Sequence, residues 1–68
     1  MAYYYVNRNA QPTGEHEVHK EGCPTPPNPE NQLGLGYYNT CAEAVVAATA
    51  YFSNVDGCAN CVPECHTR

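Results

Sequence analysis

Cys58-Ala59-Asn60-Cys61-Val62-Pro63-Glu64-Cys65-His66 gathers three thiols and an imidazole directly after the turn-forming run Asn54-Val55-Asp56-Gly57. More donors lie upstream, in His16-Glu17-Val18-His19-Lys20-Glu21-Gly22-Cys23. Together they exceed what one tetrahedral ion needs. Cysteines at CxxC spacing reach one ion readily, and backbone N–H groups in the turn between them soften the thiolate charge. Cys58-x-x-Cys61 alone suits metal or redox use. Preceded by His19-x-x-x-Cys23 and followed by Cys65-His66, it points to metal. We therefore expect a zinc site on which the fold depends. Thiolate outcompetes imidazole for a soft ion where geometry allows, so Cys65 rivals His19 for the fourth position.

The size of the chain gives a metal work to do. Sixty-eight residues make one domain, residues 1–68. Ordering each residue costs about 1.5 kcal/mol, which so small a core barely offsets. Large apolar side chains are sparse: Leu33, Leu35, Phe52, a few valines and six tyrosines. Such chains rely on disulfides, a metal or a partner subunit. A structural zinc ion contributes about 10–16 kcal/mol in small peptides at neutral pH.

Five cysteines is an odd number, which argues against a secreted disulfide framework. Met1-Ala2-Tyr3-Tyr4-Tyr5-Val6 lacks the basic region and apolar stretch of a signal peptide. The apolar run Ala44–Ala48 is far too short to span a bilayer. The expectation is a soluble cytoplasmic protein with reduced thiols. Net charge is −4, with only Arg8, Lys20 and Arg68 positive. Three thiolates on one zinc add about one further negative charge. With no basic stripe to neutralise phosphates, nucleic-acid binding is disfavoured.

Along the chain, Tyr3–Asn7 is rich in strand formers, and Glu15–Lys20 alternates well enough to pair with it as a β-hairpin across the loop Asn9–Gly14. In the second strand Glu17 and His19 share one face, His16 and Val18 the other. We expect His19 to point at the metal, although the period does not choose. The segment Gly22–Glu30, with Pro24, Pro26, Pro27 and Pro29, reads as a stiff extended loop. A short third strand lies within Asn31–Tyr38, weakened by Gly34 and Gly36. Thr40 and Glu43 form a capping box opening a helix from Cys41 to about Phe52. Cys41, Ala44, Val45, Ala48, Tyr51 and Phe52 fall on one face, the expected core face. The opposite face, Glu43, Val46, Ala47 and Ala50, is unusually apolar and suggests contact with another chain, a homodimer included. The expected class is α+β: a small zinc-stabilised domain, hairpin plus short third strand packed on one α-helix.

This order of elements resembles the amino-terminal zinc domain of the Ada DNA-repair methyltransferases. The likeness rests on His19-x-x-x-Cys23, the segment Asn28-Pro29-Glu30-Asn31, a strand, a helix with Glu43-Ala44 near its start, and Gly57-Cys58-x-x-Cys61. It covers roughly residues 15 to 62. The whole chain also resembles a family of small uncharacterised bacterial Cys/His-rich proteins, through Tyr5-Val6-Asn7-Arg8-Asn9-Ala10, His16-Glu17-Val18-His19, Gly57-Cys58 and Cys65-His66. The first resemblance implies His19, Cys23, Cys58 and Cys61 as the ligands of one Zn2+. In the Ada domain the first ligand is a cysteine that accepts a methyl group. His19 stands there in this chain, so the resemblance carries over the zinc scaffold and not methyl transfer.

Cys65, Cys41 and His66 are the alternative metal or redox groups. Cys41 opens the helix on its core face, as a small buried hydrophobe or as a thiol bridged to Cys23 or Cys65. His16 reads as a strand surface residue. His66 reads as part of a frayed tail able to donate to a thiolate. The leading functional expectation is a non-catalytic structural-zinc module that binds another protein or itself. The alternative is a thiol–disulfide or metal-handling protein using Cys41 and Cys65. An Ada-like DNA-binding module ranks third. No acid/base pair or phosphate loop marks an enzyme.

Overall fold

The computed structural model describes residues 1–67. Four strands form one mixed sheet, flanked by a single helix: β1 (Ala2–Asn7), β2 (His16–Lys20), β3 (Gln32–Tyr38), α1 (Cys41–Ala48) and β4 (Val55–Gly57). The strand order is β3-β1-β2-β4. The fold is α+β, as expected.

The β1–β2 hairpin is antiparallel, with Tyr5 opposite His19 and Val6 opposite Val18. On the other side of β1, β3 is also antiparallel, and its register shifts between Tyr4 and Tyr5. Tyr4 faces Gly36 while Tyr5 faces Gly34, which leaves Leu35 as the extra residue of a bulge. Gly36 sits there at φ 115°, a conformation that a side chain resists. The third strand is thus longer than expected, and its glycines belong to the bulge.

β4 lies within the stretch that reads as a turn. It pairs in parallel with β2, Val55 to His16 and Gly57 to Val18. Non-local pairing overrides the local turn signal, because β2 offers a free edge and Val55–Gly57 reaches it after the chain has crossed α1.

α1 begins as its sequence dictates. Thr40 accepts a hydrogen bond from the Glu43 N–H, and the Glu43 carboxylate accepts one from the Thr40 N–H. It ends earlier than expected, at Ala48, and the chain continues in turns whose N–H groups bond to the carbonyls of Ala47 and Ala48. Cys41, Ala44 and Ala48 are buried on the sheet, Val45 and Phe52 half-buried, and Tyr51 exposed, so Tyr51 leaves the expected core face. The core runs through Tyr4, Val6, Val18, Ala44, Ala48 and Val62, with Cys23, Cys41 and Cys58. Both faces of the hairpin are covered. Val6 and Val18 join the helix-side core, while Tyr5 and His19 are buried on the opposite face.

Cys41 and Cys65 are joined in a disulfide, with Cα atoms 6.3 Å apart. This corrects two expectations. Cys65 is not a fourth ligand, because its sulfur is already bonded, and the thiols are not all reduced. The bond ties the first residue of α1 to the 3-10 turn Pro63–Cys65. His66 is not frayed and does not approach the free thiols. Its Nδ1 lies 2.9 Å from the Gly57 carbonyl and 3.3 Å from Asp56 Oδ2. The Asp56 carboxylate also accepts bonds from the Thr67 N–H and hydroxyl. Burial raises the Asp56 pKa, but those hydrogen bonds, one from the Gly57 N–H and the nearby His66 hold it below the ordinary carboxylate value. His16 is half-buried, stacked on Phe52 with ring centroids 3.7 Å apart.

Candidate metal centre

Two distant pieces of chain deliver His19 with Cys23 and Cys58 with Cys61 to one place. β2 supplies His19, held flat against the ring of Tyr5 at a centroid distance of 5.4 Å. The chain then turns sharply. Gly22 takes φ 81°, and the Cys23 N–H donates to the Lys20 carbonyl at 3.2 Å, which folds Cys23 back toward His19. From the other end of the chain, the Cys58 N–H donates to the Val18 carbonyl at 2.9 Å and so extends the β2–β4 pairing by one bond. Cys58 is thereby fixed beside the strand that carries His19. The Val62 N–H bonds to the Cys58 carbonyl at 2.9 Å and closes the CxxC turn. A side-chain bond from Asn60 Nδ2 to Thr25 Oγ1, 2.9 Å, links the two donor loops.

The donor atoms of these four residues all lie within 4.8 Å of one another, and all but that of Cys61 belong to buried residues. Cys23 Sγ is 3.5 Å from His19 Nδ1 and 3.9 Å from Cys58 Sγ, and Cys61 Sγ is 3.8 Å from His19 Nδ1. These separations decide what the group can be. A tetrahedral zinc ion with Zn–S of about 2.3 Å and Zn–N of about 2.05 Å sets S···S edges near 3.8 Å and S···N edges near 3.6 Å. Three of the six edges, those just given, match within a few tenths of an ångström, and the other three stay within 4.8 Å. The residues fit a metal ion, and the donor chemistry, three sulfurs and one imidazole nitrogen, is that of zinc-type sites.

The surroundings favour the ligating forms. Nδ1 of His19 faces the sulfurs while Nε2 lies 3.7 Å from Glu17 Oε1, an arrangement in which a carboxylate orients the ring. Burial lowers the His19 pKa and so keeps the imidazole neutral. The Lys20 N–H donates to Cys61 Sγ at 3.3 Å and softens the thiolate charge, from the end of β2 rather than from within the CxxC turn. Burial, together with the neighbouring Cys23 and Cys58, nevertheless pushes the Cys61 thiol up to about 12. Burial also raises the Cys23 value, but hydrogen bonds from Cys61, Thr25 and Cys58 outweigh it and leave that thiol below its ordinary range. Tyr5 is raised by burial and then by the three sulfurs. Crowded thiols without a cation are thus electrostatically costly, and a divalent ion removes the conflict.

Fold and site together define a class: a small α+β domain carrying a Cys/His cluster able to hold a metal ion. Comparison with known proteins places it no more narrowly, since no family model, curated protein or solved structure matches the chain. Among the described residues no helix is long and apolar enough to cross a membrane. Sequence reasoning brought together the residues that the fold also assembles. It missed the roles of Glu17, Tyr5 and Asn60. Glu17 was on the correct face and carried a usable signal, since a carboxylate on the histidine's side of the same strand is placed to orient it.

Proposed function

We propose that the chain is a non-catalytic zinc module, in which one Zn2+ bound by His19, Cys23, Cys58 and Cys61 holds together a domain that docks on another protein or on a second copy of itself. The observation that carries the reading is the match between the donor separations and the edges of a tetrahedral zinc site. Four protein donors fill the ion's coordination and leave no position for a catalytic water. The resemblance to the Ada zinc domain supports the same ligand set. Association through α1 is supported by Val46 on its outward face, 70% exposed, next to the half-buried Ala47 and with the exposed Ala50 in the turn that follows the helix.

Reconstitution of the reduced full-length chain tests this. Native mass spectrometry should find one zinc ion per chain, lost on denaturation. Cobalt substitution should give the intense visible bands of a tetrahedral thiolate site, and His19→Ala should alter them. A spectrum of octahedral type, or no bound ion, overturns the reading. A second reading, thiol–disulfide chemistry, is favoured by the Cys41–Cys65 bond.

A further inference from the structure

The fold sorts five cysteines into a bonded pair, Cys41–Cys65, and three free thiols gathered with His19. Distance alone does not enforce that sorting. Cys23 Sγ and Cys58 Sγ lie 3.9 Å apart and both side chains are buried in the same core cluster. A disulfide needs about 2.05 Å, so the two sulfurs stand about 2 Å short of a bond. An oxidant that meets the metal-free chain therefore has two routes open, and the Cys23–Cys58 route destroys two metal donors. A bound ion closes that route, because it engages both thiolates and holds them apart at a tetrahedral edge of about 3.8 Å.

We propose that Cys41 and Cys65 are a redox site whose pairing is directed by the metal: the ion loads first and removes Cys23, Cys58 and Cys61 from exchange, and a glutathione-type disulfide then oxidises the remaining pair. This rests on the zinc reading above. Cys65 is half-buried while Cys41 is 4% exposed, so the oxidant meets Cys65. The Cys65 thiolate attacks one sulfur of glutathione disulfide, and the first glutathione leaves as a thiolate that takes up the proton Cys65 released. The Cys41 thiolate then attacks the Cys65 sulfur of the mixed disulfide. The second glutathione leaves and takes up the Cys41 proton. Two cysteine thiols lose two electrons, and one glutathione disulfide becomes two thiols.

The finished bond acts back on the metal site through a short chain of contacts. The Cys65 N–H donates to the Val62 carbonyl at 2.9 Å, and the Val62 N–H to the Cys58 carbonyl at 2.9 Å. The Cys65 backbone also packs directly on Gly57, the residue before Cys58. Oxidation thus pins to α1 the segment that carries Cys58 and Cys61. By linkage, the factor by which zinc favours the bond equals the factor by which the bond favours zinc, and couplings of this kind run to about tenfold or more.

The test uses the reduced full-length chain, its zinc content measured first. One portion holds Zn2+ and another holds EDTA. Both are oxidised with glutathione disulfide, residual thiols are alkylated after denaturation, and the disulfides are mapped by peptide mass. With zinc, Cys41–Cys65 should be the sole disulfide and the other three cysteines should be alkylated. With EDTA that selectivity should be lost and Cys23–Cys58 should appear. Identical pairing in both portions of a chain that binds zinc overturns this proposal and leaves the zinc reading standing, whereas failure to bind zinc overturns both. A second measurement does not depend on how the EDTA form folds: the oxidised chain should bind Zn2+ about tenfold more tightly than the Cys41→Ser/Cys65→Ser variant. Equal affinity would refute the coupling.

Discussion

Gly57→Ala is the substitution whose cost the structure specifies most fully. Gly57 is a buried residue at the end of β4, immediately before the metal-site Cys58. A Cβ there would stand 2.8 Å from the Cys65 carbonyl carbon, 2.8 Å from its oxygen and 2.9 Å from its Cβ. These contacts are too short, and two of them involve backbone. Cys65 is held on one side by its disulfide to Cys41 and on the other by its N–H bond to Val62. It cannot swing away as a flexible side chain would. Forced overpacking of this sort costs about 3 kcal/mol. At about 4–8 °C per kcal/mol for a domain of this size, the melting temperature should fall by roughly 12–24 °C. Gly34→Ala is the control. Its Cβ would land on the Tyr3 hydroxyl, but that is the far end of a half-buried side chain able to swing about its Cα–Cβ bond, so the cost should stay below about 1 kcal/mol. Thermal melts followed by circular dichroism, at one zinc concentration and with the oxidised fraction checked by mass, compare the two. A Gly57→Ala chain melting within about 2 °C of the parent would refute the packing of Cys65 on β4.

Thr40→Ala removes one arm of the capping box and should cost about 1 kcal/mol, read as a fall of roughly 4–8 °C in the same melts. Zinc affinity should fall with pH. Ligation requires thiolates, and Cys61, pushed up to about 12 without the ion, must release its proton to bind. Three thiol protons set a limit of about a thousandfold per pH unit, measurable by competition with a chelator. His19 adds little above the ordinary imidazole value, since burial lowers its pKa and keeps it neutral there. Its contribution is lost only as pH falls through that lowered folded value. If the chain self-associates through α1, Val46→Glu should return it to monomer in sedimentation without changing its zinc content, because Val46 is 70% exposed and lies away from the donors.

Some of this fold was legible because it is local. The capping box is two residues in register, and the β1–β2 hairpin follows from strand formers on both sides of a Pro/Gly loop. The pairing of β4 with β2 had no such signal. Val55-Asp56-Gly57 is three residues long, carries two turn formers, and becomes a strand only because a distant edge is free. Alternation in β2 could not say which face is buried, and the structure explains why: Val18 and His19 are both buried, on opposite faces. The expected donors were legible from spacing and resemblance, since short motifs fix which side chains can share one ion. The Cys41–Cys65 bond was legible only as one of two pairings open to Cys41, because sequence spacing does not say whether Cys23 or Cys65 will meet it.

The central claim is that a metal ion holds what this sparse core cannot. The most direct measurement is amide hydrogen exchange on the oxidised chain, with one equivalent of Zn2+ and again after removal of zinc by EDTA, with Cys41–Cys65 intact in both. The ion should protect the N–H groups of Cys23, Cys58 and Val62, and EDTA should strip protection across β1 and β2 as well. Equal protection in both samples would contradict it.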